Sequence, residues 1–302
     1  MILTVTLNAA LDVTYEVPVV DWDGVNRVRS VHRRAGGKGV NVARVLRGLG
    51  QEVLVTGLAG GPTGRAVEED LEAAGLPGAL VRIAGDSRTT LAVSGGAEGA
   101  TALFNEPGPE VTPAELRDFV RVYEGLLARA DAVVISGSLP RGVPADTYAR
   151  LAALAAERRV PAVVDADGEP LLHAPAGRPA IVKPNADELA RAVPHGDPAE
   201  GAEQLRARGA ESVVVSLGAD GLLAVTPEGT FRARMPYRVE GNPTGAGDSL
   251  VAGLALGLVE GTAWPERLRR AAALGAAAVA APVAGDFDAG VYAHVHPRID
   301  VS

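Results

Sequence analysis

Cysteine is absent from the 302 residues, which excludes disulfides, thiol nucleophiles and thiolate metal sites. Histidine occurs only 5 times and is scattered, so a histidine-built zinc centre is not expected. Aromatic residues make up 4% of the chain against 47% hydrophobic residues, so the core must be mostly Ala, Val and Leu. No long basic run relieves a net charge of −8, which argues against nucleic acid or an anionic membrane as the main partner. An anionic substrate would need a local cluster of positive groups. No apolar run reaches ~18 residues free of Gly, Pro and charge; the Ala-rich AAALGAAAVAAPVAG (271–285) is short and weakly apolar. The opening MILTVTLNAALD has no basic segment leading into an apolar stretch and does not read as a signal peptide. Together these features predict a cytoplasmic protein.

What is present is a rhythm of short Val- and Ile-rich runs at 2–7, 52–59, 132–138, 162–167, 180–185 and 212–218, which read as strands buried on both faces. Helical patterns lie between them, at TPAELRDFVRVYEGLLARA (with a capping box from Thr112 to Glu115), ADTYARLAALAAERR and DPAEGAEQLRARG. Such alternation predicts an α/β fold with a mostly parallel sheet covered on both faces. Two regions break the rhythm. Residues 13–34 alternate apolar and polar around Asp23-Gly24, a hairpin signal, and 89–106 give two more strands around a Gly-rich turn. They predict a small antiparallel β-sheet lid, with a dimer contact on its exposed face.

The stretch GNPTGAGDSLVAG (241–253) sets Gly245, Ala246 and Gly247 directly before Asp248. A helix start leaves about four unpaired N–H groups and roughly half a positive charge. Small residues there let anionic oxygen approach, phosphate above all. Beside such a pocket Asp248 can orient an attacking hydroxyl and take its proton late in phosphoryl transfer. The same spacing also describes a plain glycine turn capping a helix. It is not the Walker A pattern. A second cluster, AGGKGVNVARVLRGLG (35–50), surrounds Lys38 with Gly36, Gly37 and Gly39, and sets Asn41 one helical turn from Lys38. Read alone, it could be a loop with a solvated lysine; read with the first, it supplies the second docking point that a donor and an acceptor require.

The phrases GGKGVN, SGSLPRGVP, KPNADE, VSLGADG and NPTGAGDS occur in the order that is found in ribokinase-like sugar kinases, and the whole chain resembles that phosphofructokinase-B carbohydrate kinase family. TLNAALD and VNRV are similar to its hexose-phosphate kinase branch, which holds 1-phosphofructokinase, tagatose-6-phosphate kinase and the minor 6-phosphofructokinase. The resemblance implies a single kinase domain over 1–302, of three-layer α/β/α architecture with a β-sheet lid. It implies transfer from ATP, with Mg²⁺, to a ketohexose phosphate, fructose 1-phosphate first and tagatose 6-phosphate next. Asp248 matches the catalytic base, and the N–H groups of Gly245, Ala246 and Gly247 match the anion hole. Asp12 matches a carboxylate that binds sugar hydroxyls, and Gly37, Lys38, Asn41 and Arg88 match residues around the phosphosugar. Arg27 matches a basic residue that reaches the phosphate from a neighbouring subunit's lid in a homodimer, whereas Arg33 and Arg34 read as solvated lid charges. Ser138 stands where the sugar could be touched or, equally, where a turn serine caps backbone.

Asn185 and Glu188 match the motif that organises Mg²⁺ and its waters, although an Asn N-cap followed by a first-turn Glu would look the same. The resemblance puts Lys183 along the ATP phosphates and the turn with Ser216, Gly218, Ala219, Asp220 and Gly221 at the nucleotide's border, with Ala and Gly of the last helix leaving room for adenine. The chain departs from the usual pattern at Asn242-Pro243-Thr244 and at DADGEPL (165–171). Rival readings are a ribokinase or nucleoside kinase, a non-catalytic sugar sensor, which would be expected to lack the acid, and an NAD dehydrogenase, whose G-x-G-x-x-G is missing after the first strand.

Overall fold

The Val- and Ile-rich runs form strands because β-branched side chains pack well on a pleat; in a computed structural model, which describes residues 1–95, 101–194 and 196–302, they build two sheets. In chain order the strands are β1 (Ile2–Thr6), β2 (Ala10–Glu16), β3 (Ser30–Gly36), β4 (Val53–Gly60), β5 (Gly78–Ile83), β6 (Arg88–Ser94), β7 (Thr101–Asn105), β8 (Ala132–Ser136), β9 (Ala162–Asp165), β10 (Ile181–Val182), β11 (Ser212–Ser216), β12 (Leu222–Thr226), β13 (Gly229–Arg234) and β14 (Asp300–Val301). The helices are α1 (Lys38–Gly48), α2 (Gly61–Ala73), α3 (Pro113–Leu127), α4 (Thr147–Glu157), α5 (Gly168–His173), α6 (Ala186–Ala192), α7 (Pro198–Ala207), α8 (Ala246–Val259), α9 (Trp264–Val279) and α10 (Ala289–Val295).

The large sheet has the order β14-β13-β12-β11-β10-β9-β8-β1-β4-β5. It is parallel from β11 to β5 and antiparallel from β11 outward to β14. Successive residues of one strand enter opposite layers, as the two-residue period requires. Val134, Val163 and Val214 pack with α1, α2, α8, α9 and α10. Their neighbours Val133, Val164 and Val213 pack with α3 to α7. The result is three layers, with the parallel strands buried on both faces. No helix is long and apolar enough to cross a membrane among the described residues.

The expected strand over 180–185 is only two residues long. Pro184 cannot donate to a ladder, and Asn185 already caps α6. The expected strands 132–138 and 162–167 likewise stop early, at Ser136 and Asp165, which frees the following residues for the site. The first part of the Ala-rich run, 271–279, lies in α9, and α10 follows as the last helix. A side chain at Gly253 of α8 would stand 2.8 Å from the Cα of Ala271, so the two helices touch almost backbone to backbone.

The second sheet, formed by the two regions expected to make a lid, has the order β3-β2-β6-β7. Both of its hairpin pairs are antiparallel, and they meet through a parallel pairing of β2 with β6. The connection at 17–29 is no tight Asp23-Gly24 hairpin. Asp21 and Asn26 tie it through side chains, Asp21 N–H to Asn26 Oδ1 at 2.8 Å and Asn26 Nδ2 to the Asp21 carbonyl at 2.6 Å. Of the Gly-rich turn expected between β6 and β7, residues 96–100 lie outside the described residues.

Candidate active site

The order β8-β1-β4 reverses direction of progression at β1, and in open α/β sheets ligands bind at the carboxyl ends beside such a switch point. There Thr6 ends β1, Ser136 ends β8, Asp165 ends β9 and Lys183 follows β10 directly. Two helices begin at the same edge. Gly37, at φ 105°, is the N-cap of α1 and turns Lys38 and Asn41 inward. Gly245, at φ 85°, is the N-cap of α8 and puts Asp248 in its first turn. Both φ values belong to the left-handed region that glycine tolerates without strain. At Gly245 there is also no room: a Cβ would meet the Cα and Cβ of Ala284, each at 2.9 Å.

The α8 start departs from expectation in one respect. Ala246 donates its N–H to the Pro243 carbonyl at 3.2 Å, because the Pro243–Ala246 segment closes as a turn. Its amide is therefore engaged, while the N–H groups of Gly245, Gly247 and Asp248 make no hydrogen bond within the described residues. Those free amides and the helix dipole make the anion-attracting spot. A side chain at Gly247 would stand 3.8 Å from Lys183 Nζ, so the glycine keeps open the space beside that ammonium.

Asp248 is 6% exposed and accepts a hydrogen bond of 2.8 Å from Asn41 Nδ2. Burial, and next the nearby charge of Asp165, push its carboxyl up to about 7, against the opposing pull of Lys38, the Asn41 bond and Lys183. A base near neutrality is well matched to proton removal at physiological pH. Asp165, 1% exposed, is held the other way. Burial works against its charge, but Lys183, Lys38 and the Ser136 hydroxyl keep it below the usual carboxylate range. Lys38 is disfavoured by burial yet ends well above an ordinary lysine, because the carboxylates of Asp165, Asp248 and Glu188 stabilise its ammonium.

A cleft of about 430 Å³ opens beside this cluster, lined by Thr6, Asn8, Gly37, Lys38, Arg88, Asn105, Glu106, Ser136, Ser138 and neighbours. Arg88 enters it from the first residue of β6 and is anchored by Nε to the Asn8 carbonyl at 3.1 Å. The Asn8 side chain in turn donates to Ser138 Oγ at 3.0 Å. Ser138 is thus both a turn serine and a wall of the cleft. Asp12 of β2 pairs in register with Thr90 of β6 and lies against Gly36, where an added Cβ would collide with its carboxylate. Burial raises its carboxyl in spite of Arg88, Thr90, Arg34 and Arg44.

On the other side of Lys183, Asn185 caps α6 with Glu188 in a closed capping box, each bond 2.8 Å. One Glu188 oxygen is spent there and the other is not. Among the described residues, no group of three or more acidic or histidine side chains is placed to hold a metal ion by itself. A cation carried by a ligand's phosphates fits better, since Mg²⁺ keeps several waters and needs one or two carboxylates. Ser216 bridges to Asn185, so the turn of Gly218, Ala219, Asp220 and Gly221 abuts the same edge. Arg27 lies exposed in the 17–29 connection and makes no hydrogen bond or ion pair among the described residues.

The site thus gathers Lys38, Asn41, Lys183 and Asp248 around one point, with Arg88 and Ser138 across the cleft. Sequence reasoning missed Asp165 and Asn8. It also took Arg34 for a solvated charge, whereas Arg34 pairs with Asp286 at 3.1 Å, in the loop that packs on Gly245 through Ala284. The only signal for Asp165 was an acid closing a buried Val run.

The pattern of pfkB family carbohydrate kinases matches residues 6–288. The chain belongs to that family. Its pfkB membership makes it an ATP-dependent carbohydrate kinase, and its structural neighbours include phosphofructokinases. Phosphofructokinase-2 from Escherichia coli in complex with potassium is 31% identical over 98% of both chains, with a TM-score of 0.90. The same enzyme in complex with fructose-6-phosphate is 32% identical over 97% of this chain and 98% of that one, with a TM-score of 0.87. A structure named "possible 1-phosphofructokinase" from Thermotoga maritima is 28% identical over 100% of this chain and 98% of that one, with a TM-score of 0.89.

Proposed function

We propose that this pfkB kinase moves the γ-phosphoryl of ATP to a hydroxyl of a ketohexose phosphate, fructose 1-phosphate being the acceptor expected first. The observation that carries the reading is the buried Asp248, held by Asn41 beside the free amides of Gly245 and Gly247, at the edge of a cleft that Arg88 and Lys38 make positive. A guanidinium fork and an ammonium suit a phosphate dianion better than a neutral sugar.

In this reading Asp248 accepts the hydroxyl proton as the new O–P bond forms, and the Gly245 and Gly247 amides with Lys183 stabilise charge on the moving phosphoryl. Asp12 and Ser138 hold sugar hydroxyls. The Ser216–Gly221 turn borders the nucleotide. Mg²⁺ would neutralise the polyphosphate, with the unspent Glu188 oxygen near its waters and Asn185 fixing that glutamate. The lid, over about 13–34 and 89–106 of a single 1–302 kinase domain, would close to exclude water.

A homodimer through the lid accords with the large side chains it exposes: Trp22 74%, Val25 85%, Leu103 51% and Phe104 47%. Arg27 would then serve the neighbouring site. Among the neighbours, phosphofructokinase-2 has been seen in a tetrameric inhibited form. The reading implies a cytoplasmic reaction, where ATP is available.

Fructose 6-phosphate is the second candidate, favoured by the higher identity to phosphofructokinase-2, 31% against 28%; tagatose 6-phosphate differs in one hydroxyl's stereochemistry. A coupled ADP-release assay over fructose 1-phosphate, fructose 6-phosphate, tagatose 6-phosphate, ribose and adenosine decides. The highest kcat/KM should fall on a ketohexose phosphate. Preference for ribose or adenosine would overturn the proposal.

A further inference from the structure

Asp165 is the one fully buried carboxylate of the site to which the reading above gives no task. Its two oxygens are not equivalent. Oδ1 faces Lys183 Nζ at 3.2 Å, Oδ2 accepts from Ser136 Oγ at 3.0 Å, and Lys38 Nζ straddles both at 3.5 and 3.3 Å. The lysines have different outlooks. The Lys38 side chain is 38% exposed and lines the acceptor cleft. That of Lys183 is 4% exposed and stands behind Gly247, beside the free amides.

We propose that Asp165 is a positioning residue that locks Lys38 and Lys183 to a single carboxylate, so that one ammonium addresses the acceptor and the other the transferring phosphoryl at a fixed separation. This rests on the kinase reading of the same site and deepens it. Two ammonium groups drawn together without an anion would repel, and a buried one would shed its proton or swing away. With the carboxylate between them the trio carries one net positive charge, which an incoming phosphate can use without first pulling either lysine into place. The Ser136 bond fixes the carboxylate's rotation, so the lysine directions are set by β8 and β9 rather than by flexible side chains.

Such a role has a signature that mere structural support lacks. Asp165→Asn keeps the shape but removes the charge, so KM should rise for both ATP and acceptor, each by about ten- to a hundredfold for a charge-assisted bond lost. Lys38→Met should act mainly on the acceptor and Lys183→Met mainly on ATP. In the Asp165→Asn/Lys183→Met double variant the ATP effects should fall well short of multiplying, because both substitutions break one interaction.

The acid limb of kcat/KM should also move to lower pH in Asp165→Asn. The groups facing Asp248 are Lys38 and Asn41 from α1, Asp165 from β9 and Lys183 after β10. Removing the one negative neighbour leaves Asp248 easier to ionise.

The experiment is calorimetric binding of ATP alone, then steady-state kinetics with MgATP and whichever acceptor the unaltered enzyme turns over best. If Asp165→Asn fails to fold, Ser136→Ala, which removes only the Oδ2 tether, takes its place, with a smaller rise in KM for ATP as well as for acceptor. Weakened ATP binding with raised KM for both substrates is the expected result. Unchanged ATP binding and unchanged KM values, with or without a lowered Tm, would overturn the proposal. An acceptor other than a ketohexose phosphate would overturn the substrate reading and leave the ATP-binding result to judge Asp165 independently.

Discussion

Asn41 offers the sharpest quantitative prediction, because its single bond to Asp248 acts on one titration. The 2.8 Å bond from Asn41 Nδ2 favours the ionised carboxylate, and a hydrogen bond to a charged group contributes about 1.5–3 kcal/mol. At about 1.4 kcal/mol per pH unit, Asn41→Ala should raise the Asp248 carboxyl by about one to two units above its value of about 7. A raised carboxyl pKa means that the base is lost as pH falls. The unaltered enzyme should therefore lose kcat/KM about tenfold per unit below pH 7, and the variant should begin to do so near pH 8–9. At pH 7 the ionised fraction drops from about a half to about a tenth or less, while at high pH the two enzymes converge. The assay is ADP release across pH 5–10 with both substrates well below KM, so that the free enzyme is read. An acid limb near pH 4 in the unaltered enzyme would refute the reasoning, as would an Asn41→Ala loss that is the same at every pH.

Three further outcomes follow from the geometry. Gly245→Ala combines a left-handed φ, about 1–2 kcal/mol, with overpacking against Ala284, about 1–3 kcal/mol; chemical denaturation should show a loss of about 2–5 kcal/mol, and an unchanged midpoint would contradict the tight contact. Arg88→Ala should raise the phosphosugar KM by about ten- to a hundredfold and leave that of ATP alone; an unchanged KM would mean the phosphate sits elsewhere. Glu188→Gln keeps the capping box, since Gln can still accept from the Asn185 N–H, but removes the charge. Tm should hold while half-maximal activity needs several times more Mg²⁺, and an unshifted Mg²⁺ dependence would take Glu188 out of the metal's surroundings.

The parallel strands were legible because each Val-rich run carries its burial in its own composition, and the helix starts because Thr112/Glu115 and Asn185/Glu188 close local boxes. GAGD could be read for the same reason, its meaning lying within a few consecutive residues. The hairpin of β12 and β13 and the edge strands β5 and β14 were not read: Gly229–Arg234 is largely exposed and lacks the buried-run signal, whereas Leu222–Thr226 is fully buried and carries that signal in a run that was passed over. The parallel joint between β2 and β6 depends on a partner distant in sequence. So do Asp165 and Arg34. An acid at the end of a strand looks solvated until Lys38 and Lys183 converge on it, and Arg34 finds Asp286 252 residues away. Ala246 failed for a local reason, the Pro243 carbonyl lying within reach of its amide.

Asp248 takes the acceptor's proton beside the bare amides at 245 and 247 in the proposed reaction, and every other role at the site depends on that step. Single-turnover phosphoryl transfer by Asp248→Asn, measured alongside calorimetric ATP binding, tests this most directly. The predicted result is a rate lower by about a hundred- to ten-thousandfold with ATP bound at least as tightly as before. Phosphoryl transfer at close to the unaltered rate would contradict it.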